Sequence, residues 1–165
     1  MNQKGKKDFG APEAKSGFKG REQQGGWVDS QAEMKKWGID LGRELSDLSK
    51  VSGEKIVEIA EKAGKKLAAS RPEGIDLKIN QIRRFLDEVR QIETGLKTGK
   101  FDPDRIILLR PKLAYAAGRE VKVFPLMNVI DPAIKSAAQS PENFNKLLRL
   151  IESIVAYHRY NGGTN

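Results

Sequence analysis

The sequence contains no cysteine and a single histidine, His158. Without cysteine, the chain cannot form disulfides, thiolate nucleophiles, cysteine-ligated zinc sites or iron–sulfur clusters. A single histidine also argues against a histidine-rich metal site, because such a site needs several ligands of this type. We therefore expect that the protein carries no metal and no other cofactor.

Long apolar runs are absent as well. The longest uncharged stretch that leans apolar, residues 123–130, is far shorter than the roughly 20 residues that a bilayer-spanning helix needs. The first ten residues carry positive charge without the apolar segment of a secretory signal. These features predict a soluble, cytoplasmic protein that has no membrane partner.

Charge of one sign dominates the composition. The 165 residues include 30 Lys and Arg against 22 Asp and Glu, which gives a net charge of +8. Much of this excess lies in residues 105–165, which contain nine basic and four acidic side chains. Because cations held at fixed spacing on folded helices can neutralise a row of phosphates, this distribution favours a polyanionic partner.

The N-terminal part of the chain has a different character. Residues 1–26 hold six of the 16 glycines and mix basic and acidic residues without a helical period. Such a segment buries too little apolar surface to offset the entropy lost on ordering. We therefore predict a flexible, glycine-rich, basic tail and transition over residues 1–37, with Trp27 and Trp37 marking the transition, and a helical domain over residues 38–165.

From about residue 38 onward, apolar residues recur at the spacing of helices. Ser52, Asp102 and Ser140 are residues that cap helix N-termini, and the last two precede a proline that suits the first helical position. No segment shows sustained period-two alternation. We predict an all-α fold, a compact bundle of five or six helices with a disordered basic N-terminal tail. The predicted helical segments are, in chain order, 52–69, 76–96, 102–118, 121–139 and 140–160.

Proline and glycine set the expected interruptions. Pro111 should kink or interrupt the third segment, since proline removes a backbone donor and clashes with the preceding turn. Pro125 and Pro132 should divide the 121–139 segment into two short helices. Gly118 is expected to close its helix in a left-handed conformation.

Basic and aromatic side chains share helix faces in two segments. Lys112, Tyr115 and Arg119 fall together on one side of the third segment. In the last segment, Lys146 and Arg149 share a side with Tyr157 and Tyr160. Cations interleaved with rings are typical of surfaces that bind single-stranded nucleic acid. A solvated face whose tyrosines cover neighbouring helices explains the same pattern, so both interpretations stay open.

The segment 76–96 carries a further row of cations. Arg83, Arg90 and Lys97 recur every seven residues along one border of its apolar stripe, and Glu88 occupies the opposite border. Such a row is either a basic ridge or a set of long side chains that extend past the core to reach water.

Three short segments resemble a known family. Lys-Leu-Ala-Tyr-Ala-Ala-Gly-Arg at 112–119, Ala-Tyr-His-Arg-Tyr at 156–160 and Gln-Ile-Arg-Arg-Phe at 81–85 resemble the small subunit of type III-A CRISPR (Csm) effector complexes, an antiviral defence system. The resemblance covers about residues 76–163. The N-terminal tail lies outside it.

The resemblance implies a compact helical protein that is present in several copies, stacked as an inner filament. It implies guide RNA and single-stranded target RNA as partners, together with neighbouring copies of the chain, the backbone subunits and the large signature subunit. It implies no catalytic role and no enzyme activity. The resemblance points to Arg83, Arg84, Lys112 and Arg119 as RNA-binding residues, and the charge pattern adds Lys146, Arg149 and Arg159; their expected partner is phosphate, which carries no sequence information.

Two alternatives remain. The first is a purely structural assembly subunit with little RNA contact, because arginine pairs with carboxylates as readily as with phosphates. The second is a nuclease that uses His158, which would need partners for acid–base chemistry. His158 falls on the apolar side of its segment, so we interpret it as a residue at the edge of the core or at an interface.

Overall fold

Seven α-helices follow one another in the described part of a computed structural model, residues 22–70 and 73–165, and no strand occurs there. Only Leu108 separates the fourth helix from the fifth, so the bundle has six helices when these two are counted as one. The predicted all-α fold is therefore confirmed. Two 3₁₀ turns, Leu48–Lys50 and Val121–Val123, connect helices. The helices are α1 Glu22–Arg43, α2 Gly53–Ala68, α3 Ile79–Lys97, α4 Pro103–Ile107, α5 Leu109–Arg119, α6 Phe124–Ala137 and α7 Pro141–Tyr160.

Capping side chains begin three helices where the sequence predicts them. Ser52, Asp102 and Ser140 each accept a hydrogen bond of 3.1 Å from the backbone N–H three residues further on. Each bond satisfies a donor that has no partner within its helix. The start of α3 differs from the prediction: Asp76 has a left-handed φ of 52°, so the helix begins only at Ile79.

The interruption expected at Pro111 falls three residues earlier, at Leu108. A proline ring conflicts with the carbonyl four residues before it, which here belongs to Ile107, the last residue of α4. Pro111 itself lies in the first turn of α5, where a backbone N–H would have no helical acceptor. The expected left-handed turn at Gly118 is wrong, because α5 continues through this residue to Arg119.

The prediction of two short helices over residues 121–139 is also wrong, since α6 is continuous and contains Pro132. Proline cannot donate to the Asn128 carbonyl four residues earlier, and the chain of α1 covers that position. A Cβ atom on Gly42 would overlap the Asn128 carbonyl oxygen, and one on Gly38 would lie 2.7 Å from the Pro125 oxygen. The backbones of α1 and α6 therefore touch, which stabilises α6 across its proline.

The core forms around α7, which contacts α2, α3 and α6. Ile59, Ile82, Val129, Phe144 and Ile151 are all fully buried. Burial of a side chain of this size stabilises the fold by about 1.5–3 kcal/mol relative to its exposure to water.

The N-terminal helix crosses the predicted domain boundary. α1 runs from residue 22 to residue 43, Met34 is buried, and Trp37 is half-buried against the core. The boundary at residue 38 therefore falls inside a helix. Residues 1–21 and the side chain of Trp27 lie outside the described residues, so the tail stays a prediction there. Among the described residues, no helix is both long and apolar enough to cross a membrane.

Candidate nucleic-acid interface

A cleft of about 740 Å³ lies between α3 and α5, and it is also lined by Val123 from the turn Val121–Val123 and by Leu126 from α6. Its floor is apolar and its rim is polar. The polar residues that line it are Gln81, Arg84, Glu88, Lys112, Tyr115, Arg119 and Glu120. Three of the seven cations predicted to bind RNA, namely Arg84, Lys112 and Arg119, therefore line one cavity.

Helix geometry places these side chains. On α3, Gln81, Arg84 and Glu88 are spaced by three and four residues, which puts them in one row along the helix. On α5, burial of Leu113 and Ala117 orients the helix so that its cations face the cleft. The shared side predicted for Lys112, Tyr115 and Arg119 is thus the side that borders the cleft.

The three cations of the cleft differ in their partners. Lys112 donates to the Glu88 carboxylate, whereas Arg84 and Arg119 pair with no carboxylate in the described part of the chain. The Arg119 guanidinium lies over the Tyr115 ring, 5.8 Å from its centroid. Because the Lys112 side chain is 57% exposed, its ion pair contributes little to stability, and Lys112 can exchange Glu88 for a phosphate.

A second group of cations, Arg90 and Arg149, lies where α3 meets α7. Arg149 pairs with Glu152 at 2.9 Å, and the same carboxylate accepts from Arg90 at 3.1 Å. Arg83 is exposed and forms no ion pair with a described residue. None of these residues lines the cleft.

The fold uses the two remaining predicted cations differently. The Lys146 ammonium donates to the carbonyl oxygens of Leu48 at 2.7 Å and Val51 at 2.8 Å, so it ties α7 to the chain around the first 3₁₀ turn. Arg159 donates to the Gly163 oxygen at 3.4 Å, beyond the end of α7. The seven predicted cations thus do not form one continuous row.

Sequence reasoning missed Gln81 and Glu120 as parts of the cleft rim. Gln81 belongs to the segment Gln-Ile-Arg-Arg-Phe at 81–85. Its spacing of three residues from Arg84 is the signal that places both side chains on the same side of α3. No local pattern marks Glu120, because it faces the cleft from the loop after α5.

His158 is fully buried, deeper than the core edge at which the sequence placed it. Its Nε2 donates to the Leu77 carbonyl oxygen at 2.8 Å, and Nδ1 is buried without a partner among the described residues. Burial lowers the pKa of His158, and the nearby Arg159 charge lowers that pKa further, although the bond to Leu77 raises it. A ring held this way is closed to an RNA substrate, which removes support from the nuclease alternative.

The buried ring predicts a dependence of stability on pH. Below about pH 6.5, the unfolded chain binds a proton at His158 that the folded chain does not bind, because the folded-state pKa is lowered. The free energy of unfolding should therefore fall as the pH decreases toward 5, by at most about 1.4 kcal/mol per pH unit.

Urea denaturation of the wild type and of His158→Gln at pH 7 and pH 5 measures this effect. The wild type should lose more stability between the two pH values than the variant does. Equal losses in the two proteins would show that another group is responsible.

Comparison with known protein families gives a match over the helical body. The family model described as Csm2 Type III-A matches residues 50–164, which is more than half of the chain. This chain belongs to the Csm2 family. It is therefore a small subunit of the type III-A CRISPR Csm complex. The match begins before the resemblance at residues 76–163 and includes every residue that lines the cleft. No curated protein matches the chain.

Membership of Csm2, a family of structural small subunits, supports a role without catalysis. It also supports the type III-A Csm complex as the assembly in which this chain has its partners. Within the described ranges, no three or more His, Asp or Glu side chains are grouped so that they could hold a metal ion.

Proposed function

We propose that this Csm2 subunit contacts the phosphate backbone of the guide and target RNA in the Csm complex through the α3–α5 cleft. The observation that carries the proposal is the convergence of Arg84, Lys112 and Arg119 on one cavity, where only Lys112 pairs with a carboxylate of the described residues. Cations that lack an intramolecular partner gain more binding free energy from contact with a phosphate than cations that must first break an ion pair.

Contacts of this kind position RNA without reading its sequence. Base pairing between guide and target supplies specificity, so the subunit needs only a surface that follows the backbone. The binding is sequence-tolerant and weakens as salt is added, because each phosphate that a cation neutralises releases condensed counterions.

The subunit works in the cytoplasm as one of several copies stacked in an inner filament, next to the backbone subunits and the large signature subunit. Exposed apolar side chains at the α4–α5 break support a role in such contacts, since Leu108 is 57% exposed and Ile107 is 38% exposed. Apolar residues clustered at the surface often mark contacts between proteins.

A salt series tests the RNA contact. Fluorescence anisotropy of a labelled uridine-rich RNA is measured with the full chain between about 50 and 200 mM salt. In the triple variant Arg84→Gln/Lys112→Gln/Arg119→Gln, the slope of log K against log salt should become shallower by about 0.7 per cation, about 2 in total. The affinity at low salt should fall with it.

The matched control is Lys50→Gln/Lys62→Gln/Lys65→Gln, which removes the same charge from exposed positions outside the cleft. This control should keep the wild-type slope within error. If the slope of log K against log salt becomes equally shallow in both variants, net charge alone attracts RNA, and the cleft is not the contact. If the triple cleft variant binds as the wild type does, also within the assembled complex, the purely structural role is correct.

A further inference from the structure

The floor of the α3–α5 cleft is more apolar than phosphate binding requires. Phe85, Leu113, Val123 and Leu126 all line it, and none is more than 7% exposed. A phosphate track needs cations alone, and apolar groups beneath it add nothing to the attraction. An apolar floor below a cationic rim fits a ligand that has both a flat apolar body and an anionic group.

A tyrosine stands at the edge of this floor. Tyr115 is 69% exposed although it is an aromatic residue on a helix that buries its other side. The Arg119 guanidinium lies over the ring, 5.8 Å from its centroid, and both residues line the cleft. Aromatic rings and guanidinium planes are surfaces on which nucleobases stack.

One residue of the cleft lining carries a buried acceptor without a partner among the described residues. Gln81 lines the cleft, and its Oε1 atom is buried with no hydrogen-bond partner among the described residues. Buried polar atoms in folded proteins are nearly always paired, so this oxygen needs a donor, which either a water molecule or a ligand group can supply. The N–H groups on the edge of a nucleobase are donors of this kind.

We propose that the α3–α5 cleft holds one unstacked nucleotide of an RNA strand. The base lies on Tyr115 and the apolar floor, with its edge toward Gln81, and the adjoining phosphates contact Arg84, Lys112 and Arg119. This inference rests on the proposed function, and it adds that the cleft selects an unpaired nucleotide over a continuous duplex. A duplex turns its bases inward and presents only phosphates and sugars, which leaves the floor empty.

The experiment separates stacking from charge. The probe is a single-stranded oligouridine with one central 2-aminopurine, whose fluorescence falls when it stacks on a ring. Binding of the full chain should quench the probe. The variant Tyr115→Leu should bind at least about five-fold more weakly and lose the quenching, yet keep the wild-type salt slope, because it removes stacking and no cation. The variant Arg119→Gln should instead make the slope shallower by about 0.7.

Two control variants complete the test. Tyr115→Phe retains a ring and should restore both affinity and quenching. Tyr160→Leu removes an aromatic side chain that is 85% exposed but lies outside the cleft, and it should behave as the wild type.

Normal quenching and affinity in Tyr115→Leu would overturn the nucleotide pocket and leave the proposed function intact. Absence of salt-sensitive binding by the wild type would instead contradict the proposed function. Displacement of the bound oligouridine by an oligoglutamate peptide, but not by uridine monophosphate, would assign the cleft to an acidic protein segment and overturn the inference.

Discussion

Replacing Gly64 with leucine is expected to prevent stable folding of this Csm2 subunit. A Cβ atom at this position would lie 2.6 Å from Tyr157 Cβ and 2.7 Å from the backbone nitrogen of His158, on the facing helix α7. Backbone atoms cannot turn aside as a flexible side chain can, so α2 and α7 must separate. Because this helix pair forms a large part of the core, the free energy of unfolding should fall by about 4 kcal/mol or more.

Urea denaturation followed by circular dichroism at the helix band measures this change. Gly64→Ala should cost less, about 1–3 kcal/mol, since overpacking by one methyl group outweighs the better helix propensity of alanine. The matched control is Gly118→Leu, also inside a helix, where an added Cβ meets nothing within 4 Å. This control should keep or raise the stability. Wild-type stability of Gly64→Leu would show that the two helices do not cross so closely.

Replacing Lys146 with methionine is expected to destabilise the fold rather than only to weaken RNA binding. The Lys146 ammonium donates to two carbonyl oxygens beside the first 3₁₀ turn, at 2.7 and 2.8 Å, from a partly buried position. Methionine has a similar length and no donor, so both charged hydrogen bonds disappear and the carbonyls lose their partner. We expect a loss of about 2–3 kcal/mol in the free energy of unfolding.

The control for this variant lies one turn along the same helix. Arg149→Met removes a cation that is 72% exposed and whose one carboxylate partner among the described residues is Glu152. Its effect on stability should stay within about 0.5 kcal/mol. If Lys146→Met unfolds at the same urea concentration as the wild type but binds RNA less tightly, the predicted RNA contact of Lys146 is correct and its structural role is secondary.

Local sequence signals predicted the starts of three helices and the buried faces of three. Caps at Ser52, Asp102 and Ser140 act within one turn of their own position, so neighbouring chain cannot easily override them. Apolar spacing likewise placed the buried faces of α2, α3 and α7. The shared side of Lys112, Tyr115 and Arg119 followed from helix geometry alone.

The sequence predictions were wrong where the outcome depends on a second helix or loop that packs against the residue. Pro132 was expected to break its helix, but contact with α1 at Gly42 keeps α6 continuous. The sequence pattern places Lys146 and Arg149 on the same side of their helix. Lys146, however, donates to a backbone carbonyl nearly one hundred positions away, whereas Arg149 remains at the surface. No pattern within α7 distinguishes these two cations.

The amino-acid sequence alone was thus enough to establish an all-α, basic, cysteine-free body, the starts of three of its helices and a family relationship. The α3–α5 cleft and the division of the cations between structural and free positions came from the packing of the helices. Helix formation and capping depend on residues within about four positions of each other. A cavity depends instead on which sides of distant helices meet, and that is set by the close contacts of the whole core.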